Sequence, residues 1–449
     1  MTSIYLAGTL TLTGALPELA NLVITANTYI NPAYKEALRV GRSVWKIPSE
    51  ICTYQDNREL NGDIVLPRGY LSEILPLLPD NSRIEDGRTN AKVAFPALQN
   101  VILRSYQKKV VSTTLKVEQG IICAPTGSGK TIIGLSLLAH LKHRALVVVH
   151  SKELAKQWVE VIGDKLGVIA GFIGDGKWRE GEIITVTMLQ TLHKNPERTR
   201  ALAANYGATL VDEVHHVPAA TFAEVLSWLP ARYRYGLSAT PHRRDGLDVL
   251  IHRVVGSTLA QVSTHDVQKT GATVPVVVKV IESGFIPGQI ESWAEFVDCL
   301  VNDADRNHLV VEIAEKTAMK VPVLVLVERI SHAETLAALI TIPHVMVHGN
   351  MPAKDRATAM LAIQNARLTI GTVGLLGEGL DVAGWGALIL ASPISSRTRL
   401  LQAIGRIVRP NDGKIRCYVA DIVDRHPLAS ASFRKRCAIY DDQKIQIQQ

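Results

Sequence analysis

The stretch GIICAPTGSGKTIIGLSLLAHL, residues 120–141, joins two different rhythms. GIIC is an apolar run of strand length, and from Thr131 the apolar residues fall as they do on a helix. The loop between them, Ala124 to Thr131, therefore lies where a strand turns into a helix N-terminus. Backbone N–H groups point outward there and the helix dipole favours anions. Gly127 and Gly129 let the backbone wrap closely around phosphates, with Pro125, Thr126 and Ser128 filling the loop. Lys130 can reach terminal phosphates, and the Thr131 hydroxyl suits Mg²⁺. The pattern G-x-x-x-x-G-K-[ST] has Gly where this chain has Ala124, a position where a small residue suffices if its φ is negative. The stretch predicts a nucleotide-phosphate site in an α/β domain.

Outward from this loop the same alternation continues. GIICAP, ALVVVHS, IITVTM, GATLVDE and YGLSATP are short apolar runs, each followed by a loop and a helical pattern. Strands covered by helices on both faces have this composition. The rhythm resumes with VPVVVKV (274–280), VPVLVLVE, HVMVHG, LTIGTV, ALILAS and IRCYVADIVD. Two tandem parallel-sheet α/β domains are expected, at 98–262 and 263–449. Residues 1–97 differ: TLTLTG alternates like a strand, Pro32 interrupts a helical pattern, and Asn61-Gly62 marks a turn between short strands. This reads as a small α+β module.

Composition narrows the class. The 449 residues exceed what one core usually serves. Five dispersed cysteines without a C-x-x-C pair fit a reduced compartment and argue against a disulfide frame or a zinc module. No apolar run is long enough to span a bilayer and no signal peptide is visible, so a cytoplasmic protein is expected, in host cytoplasm if phage-encoded. The net charge of +7 divides into −1 over residues 1–100 and +8 beyond, which is compatible with nucleic-acid binding.

A second motif gives the loop its chemistry. ATLVDEVHH (208–216) is an apolar strand ending in adjacent acids. In phosphoryl transfer one acid at a strand end holds Mg²⁺ through water and the next orients and deprotonates the attacking water. Asp212 suits the first role and Glu213 the second. His215-His216 lack further ligands at zinc spacing. Arg406 and Arg409 in QAIGRIVRP (402–410) are three residues apart and would share one face of a helix.

Taken together, APTGSGKT, VDEVHH and LSATPHRRDG (237–246) resemble the first motor domain of superfamily 2 helicases of the DExH type. LRSYQ (103–107), VVVHSKELAKQW (147–158) and TVTMLQTL (185–192) resemble further motifs of that domain. VLVLVERISHAETL, HGNM, GTVGLLGEGLDVAG and QAIGRIVRP resemble motifs IV to VI of the second, in order. The resemblance covers about 98 to 425 and implies two RecA-like domains hydrolysing ATP with Mg²⁺. It implies that Gln107 reads the adenine edge with Arg104 packed on the base. Arg406 and Arg409 would act as arginine fingers, Gly379 and Asp381 would sense the nucleotide, and Ser238 and Thr240 would link the metal site to the cleft. It offers Ser151, Lys152, Thr187, Gln190, Arg244, Glu328, Arg329, His348 and Thr372 as contacts to a nucleic-acid strand.

The compact second domain, the RRD element at 243–245 and the small N-terminal module look most like phage branch-migration helicases of the T4 and T5 type. The expected function is a monomeric DNA helicase or translocase acting on forks and junctions, with residues 1–97 gripping duplex. The alternatives are an RNA helicase of the same superfamily and a duplex translocase that separates no strands. A dead ATPase scaffold is disfavoured by the intact Lys130, Glu213, Arg406 and Arg409 set. The loop carrying Trp178 is one candidate strand-separating wedge, and a surface loop with no such role is the favoured alternative.

Overall fold

A computed structural model describes residues 1–214, 219–239, 248–290, 292–376, 382, 384–411 and 413–448. The chain forms two compact units, 1–124 with 129–262, and 263–449 with 125–128. Among the described residues no helix is long and apolar enough to cross a membrane.

The first unit opens with strands β1 (Ser3–Leu6), β2 (Thr9–Thr13), β3 (Thr28–Ile30), β4 (Glu50–Cys52), β5 (Gln55–Asn57), β6 (Asp63–Pro67) and β7 (Arg83–Asp86). Five of them form a sheet in the order β5-β6-β2-β1-β7, and β3 pairs with β4. Alternation does what the pattern requires: Ile4, Leu6, Leu10, Leu12, Ile64 and Leu66 point to one face and pack with Ala20 and Val23 of helix Pro17–Ala26. Pro32 ends no helix but begins one. Helix Pro32–Arg39 has Pro at its first position, where a missing N–H costs nothing, and the Asn31 side chain accepts the Ala33 N–H at 3.0 Å.

The same unit continues with β8 (Gln119–Cys123), β9 (Ala145–Val149), β10 (Gly171–Gly174), β11 (Lys177–Arg179), β12 (Ile184–Met188), β13 (Ala208–Asp212), β14 (Tyr233–Ser238) and β15 (Thr258–Gln261). Their order is β11-β10-β12-β9-β13-β14-β8-β15. All five apolar runs noted above are parallel strands of this sheet. The β10–β11 hairpin and edge strand β15 were not legible: β11 and β15 are short and largely exposed, and β10, though buried, is a four-residue strand with a glycine at each end. In the second unit β16 (Val276–Glu282), β17 (Val323–Val327), β18 (Val345–Val347), β19 (Leu368–Thr372), β20 (Ala387–Leu390), β21 (Cys417–Val423) and β22 (Gln446–Gln448) form one sheet, every described pairing of which is parallel. The order is β18-β19-β17-β20-β21-β16-β22.

The N-terminal module is bolted to the first parallel sheet rather than tethered to it. Arg68, fully buried, donates to Gln119 Oε1 at 2.6 Å, to Arg232 O at 2.6 Å and to Ala7 O at 3.3 Å. Arg234 reaches the other way. It is buried with no carboxylate partner among the described residues and donates to Gly8 O, Leu226 O, Leu229 O and Val254 O at 2.8–3.0 Å, and burial pulls it down to about 9. Backbones meet so closely that a Cβ on Gly8 would lie 2.0 Å from Ser227 O and one on Gly69 2.3 Å from His252 O. The connection between module and sheet is also pinned, by Val93 N to Lys142 O and Arg144 N to Ala91 O.

Candidate active site and nucleic-acid surface

Parallel strands leave all their carboxyl ends on one edge, and ligands of open α/β sheets bind outside that edge. In the first sheet three neighbouring strands, β13, β14 and β8, end at Asp212, Ser238 and Cys123, where the phosphate loop begins. The loop start is fastened to β14 by Ala124 N donating to Ser238 O at 2.9 Å. Gly127 and Gly129 have φ of 82° and 75°, the left-handed region that glycine enters freely, so both glycines of the motif are conformationally required. Gly129 is also the N-cap of helix Lys130–Leu141 and supplies no side-chain cap, so that helix N-terminus has orphan N–H donors for an anion.

Lys130 Nζ lies 3.2 Å from Glu213 Oε1 and 3.3 Å from Ala124 O. Glu213 sits directly after β13 with φ 51°, a strained setting for a residue with a Cβ. That twist brings its carboxylate to the end of β14, where Ala239 N donates to Oε2 at 3.4 Å. Asp212 is buried. Its Oδ1 accepts the Glu213 N–H at 2.9 Å and its Oδ2 accepts the Trp158 indole N–H at 2.8 Å. Burial pushes the Asp212 carboxyl up to about 6, the neighbouring Glu213 charge adds to this, and Lys130 and the two hydrogen bonds oppose it. Outward N–H donors, one ammonium, the Thr131 hydroxyl and two adjacent carboxylates are a donor set that fits a magnesium nucleotide.

Gln107 is buried beside this loop. Its Oε1 accepts the Arg104 N–H at 2.9 Å, closing the N-terminus of helix Ser105–Thr114, and a Cβ on Gly129 would lie 2.7 Å from its Nε2. Gln107 thus props the phosphate loop as it stands, with exposed Arg104 three residues before it.

The next strands of the first sheet, β9 and β12, carry the expected strand contacts on the same edge. Ser151 caps helix Lys152–Leu166 by accepting the Leu154 N–H at 3.3 Å, and exposed Lys152 pairs with Asp175 at the β10–β11 turn. Exposed Gln190 donates to His150 O at 3.1 Å. In the second sheet, neighbouring β18, β19 and β17 end beside His348, Thr372 and the Glu328-Arg329 pair. Glu328 N donates to Ser392 Oγ at 3.1 Å, Arg329 lies 3.3 Å from Asp298, and His348 N meets Met351 Sδ at 3.4 Å.

Three expectations need correction. Thr187 and Thr372 are buried in the interiors of their sheets, because both are strand residues covered on each face, and neither offers side-chain surface to a strand as it stands. Arg406 and Arg409 do not share a helix face. Helix Arg397–Ile407 ends before Arg409, and Val408 turns to accept the Val274 N–H at 2.9 Å. Pro410 accounts for the stop, since the residue before proline avoids the helical region. Arg406 is buried, and burial pulls Arg409 below the ordinary guanidinium range. Trp178 is no projecting wedge: it packs on the core of the first sheet with the Arg198 guanidinium 4.0 Å above its ring. His215, His216, Thr240, Arg244, Gly379 and Asp381 lie outside the described residues.

The sequence reading missed Trp45, which is 86% exposed. It stands in the 40–49 loop beside Arg42 and Lys46, whose Nζ lies 5.7 Å from the ring centroid. The loop is fastened at both ends, by Arg42 N to Ala37 O and by Asn31 N to Ser49 O. An exposed tryptophan among arginines and lysines was a signal available in RVGRSVWKIP.

Comparison with known proteins agrees with this geometry. Residues 100–243 match the family of the type III restriction enzyme res subunit, and residues 305–411 match the helicase conserved C-terminal domain. The "Probable helicase D10" of Escherichia phage T5 is 26% identical over 71% of this chain and 71% of its own. The DNA 3'-5' translocase XPB2 of Sulfurisphaera tokodaii is 34% identical over 38% of each. Among solved structures, a fragment assigned as an HsdR subunit of a type I restriction enzyme from Vibrio vulnificus superposes with a TM-score of 0.60 at 20% identity, over 78% of this chain and 68% of that one. With two RecA-like sheets, a phosphate loop facing a strand-end acid pair and both helicase domain models in order, the chain belongs to the superfamily 2 helicases, ATP-driven motor enzymes.

Proposed function

We propose that this helicase is a DNA motor that unwinds or branch-migrates forks and junctions, working as a monomer with Mg²⁺-ATP. The observation that carries the reading is the strand order along one sheet edge: β13, β14 and β8 end beside the residues proposed for the nucleotide, and β9 and β12 end beside those proposed for the strand. Relatives named as DNA 3'-5' translocase or helicase support DNA, while one relative is named as an RNA helicase.

Lys130 would hold the terminal phosphates, and Thr131 and Asp212 would hold the metal, Asp212 largely through water. The metal supplies charge neutralisation at the phosphoryl oxygens. Glu213 accepts the proton of the attacking water, a role that requires it to leave its ion pair with Lys130 when phosphate takes its place. Gln107 and Arg104 face the base. Arg406 and Arg409 would act as arginine fingers, neutralising charge that develops on the transferred phosphoryl group in the transition state. Ser151, Lys152, Gln190, Glu328, Arg329 and His348 meet the strand through polar, backbone-directed contacts, which suit a motor that must cross any sequence.

The N-terminal module would grip duplex ahead of the motor. Trp45 with Arg42 and Lys46 supports a contact where duplex opens at a fork, because an exposed aromatic among cations stacks on unpaired bases while the cations pair with phosphates. The test is ATPase stimulation by four-way junction, linear duplex, single-stranded DNA and RNA in parallel, together with junction branch migration. Strongest stimulation by a junction with ATP-dependent migration is expected. Strongest stimulation by RNA overturns the reading.

A further inference from the structure

Trp158 lies outside every role assigned above, yet it touches both the helix after the phosphate loop and the candidate metal ligand. It comes from helix Lys152–Leu166, whose N-cap, Ser151, and first residue, Lys152, belong to the proposed strand track. Six residues beyond Lys152, roughly 9 Å along the axis, its ring is fully buried. There the indole passes the helix that follows the phosphate loop. A Cβ on Gly134 would stand 2.9 Å from Trp158 Cη2 and 2.7 Å from Leu210 Cδ2, so glycine makes room for the ring. The indole N–H ends on Asp212 Oδ2 at 2.8 Å. One residue thereby joins the strand-side helix, the nucleotide-side helix and the candidate metal ligand.

The hydrogen bond has a specific consequence. A carboxylate on a single-bonded stem rotates freely unless its oxygens are held. Asp212 is held by one donor on each oxygen, Glu213 N–H on Oδ1 and Trp158 Nε1–H on Oδ2. The first donor belongs to the adjoining residue and travels with it. The second comes from another element and sets the carboxylate plane against that element's position. Partners that orient a metal ligand in this way typically change metal affinity by 10- to 100-fold when lost.

We propose that Trp158 is a positioning residue that orients Asp212 for the metal and couples its orientation to strand engagement at the N-terminus of its own helix. The proposal rests on the function proposed above, in which Asp212 holds the metal and Ser151 and Lys152 meet the strand. It requires the N–H and not merely the bulk of the ring.

The test replaces Trp158 in the full chain with phenylalanine and, separately, with benzothienylalanine, which keeps the bicyclic shape and substitutes sulfur for N–H. The first readout is binding of a fluorescent, non-hydrolysable ATP analogue across a Mg²⁺ titration, which involves no turnover. The second is the ratio of single-stranded-DNA-stimulated to basal ATPase. With benzothienylalanine the Mg²⁺ concentration for half-maximal binding should rise roughly 10-fold, and the stimulation ratio should fall by a similar factor. The melting temperature should stay within a few degrees. If that chain binds with the wild-type Mg²⁺ dependence and keeps its stimulation ratio, the proposal is overturned. If only Trp158→Phe is impaired, packing is the cause and the proposal again fails. Wild-type protein that shows no stimulation by any DNA would sink the proposed function itself, whereas a stimulated wild type matched by the isostere sinks only the role of Trp158.

Discussion

Both parallel sheets bury acids near the carboxyl ends of their strands, and the two sheets treat them in opposite ways. In the second sheet Asp421 on β21 accepts a two-pronged bond from Arg436, with 2.8 Å to each oxygen, and a third from Tyr440 at 2.9 Å. Asp424, just beyond, is held by Arg306 at 2.7 and 3.2 Å and by Ser283 at 2.6 Å. Each of these charges is cancelled by a buried guanidinium. In the first sheet Asp212 is equally buried, but among the described residues its hydrogen bonds come from neutral N–H donors, and Lys130, which favours its charged form, is paired with its neighbour Glu213. A cancelled acid stabilises a sheet, whereas an acid left short of positive charge is primed to take up a cation. The comparison distinguishes structural from functional carboxylates where burial alone cannot.

The largest expected effect breaks the functional side. Glu213→Gln should reduce turnover by about 10³-fold, the scale of losing a general base, with the melting temperature unchanged and nucleotide and DNA binding retained. Single-turnover ATP hydrolysis and thermal melting check it, and normal turnover would remove Glu213 from that role. The structural side should fail in the reverse sense. Asp421→Ala leaves Arg436 buried without its partner, which costs about 3–5 kcal/mol, read as a lower denaturant midpoint. Asp212→Asn should abolish hydrolysis yet stay within about 1 kcal/mol of wild type at neutral pH, because a lost hydrogen bond is offset by a charge no longer buried.

The same pair of acids makes a signed pH prediction. In metal-free protein Asp212 titrates near 6 when folded against 3.8 when unfolded. Between those values the folded state binds more protons, so this carboxyl's favourable contribution is present at low pH and is lost as pH rises toward 6. The stability of wild type relative to Asp212→Asn should therefore decline from about pH 4 to about pH 6 and level off above. Denaturant titrations of both proteins across that range test it. A constant difference would mean that Asp212 is not desolvated.

Much of this contrast was readable in advance on one side only. The glycines of the phosphate loop, the strand end at Asp212 and the five central strands of the first sheet could be named from spacing, because each depends on local geometry or on alternation over a few residues. The neutralised acids could not, since Asp421 and Arg436 are far from any motif and meet through helix packing. The link from Trp158 to Asp212 spans 54 residues, and the tryptophan reads as one more apolar position on its helix. The shared face expected for Arg406 and Arg409 failed for a local reason that was present in the sequence: Pro410 limits the helix. Thr187 and Thr372 were taken from motif position, which says where a residue sits along the chain and not which way a strand turns it.

A second contrast lies within the first unit, between a module fastened by buried contacts and a loop of that module left open to solvent. Gly8 marks the fastened side. A methyl group placed 2.0 Å from Ser227 O must push two backbones apart, so Gly8→Ala should cost about 1–3 kcal/mol. If the module is a rigid extension of the first sheet, the cost should appear as an earlier loss of cooperative melting of the whole unit. Early loss of the module alone, with the motor's melting unchanged, would show the two to be energetically separate.

The open side should give the smallest effect and the most selective one. Trp45→Ala removes an exposed side chain whose nearest described partner is Lys46, so stability should be unchanged. If Trp45 stacks on a base at a fork, the loss is about 1–3 kcal/mol of binding, seen as weaker affinity for forked DNA and slower branch migration. ATPase stimulated by single-stranded DNA alone should be untouched, because the nucleotide set and the strand set lie on other elements. Trp45 is far more exposed than the fully buried Trp158 and Trp385 and the half-buried Trp178, Trp228 and Trp293. Quenching of tryptophan fluorescence on binding forked DNA should thus disappear in Trp45→Phe while the remaining signal persists. Equal quenching in both proteins would place the DNA elsewhere, and the exposed ring would then be a feature of the module's surface with no part in gripping duplex.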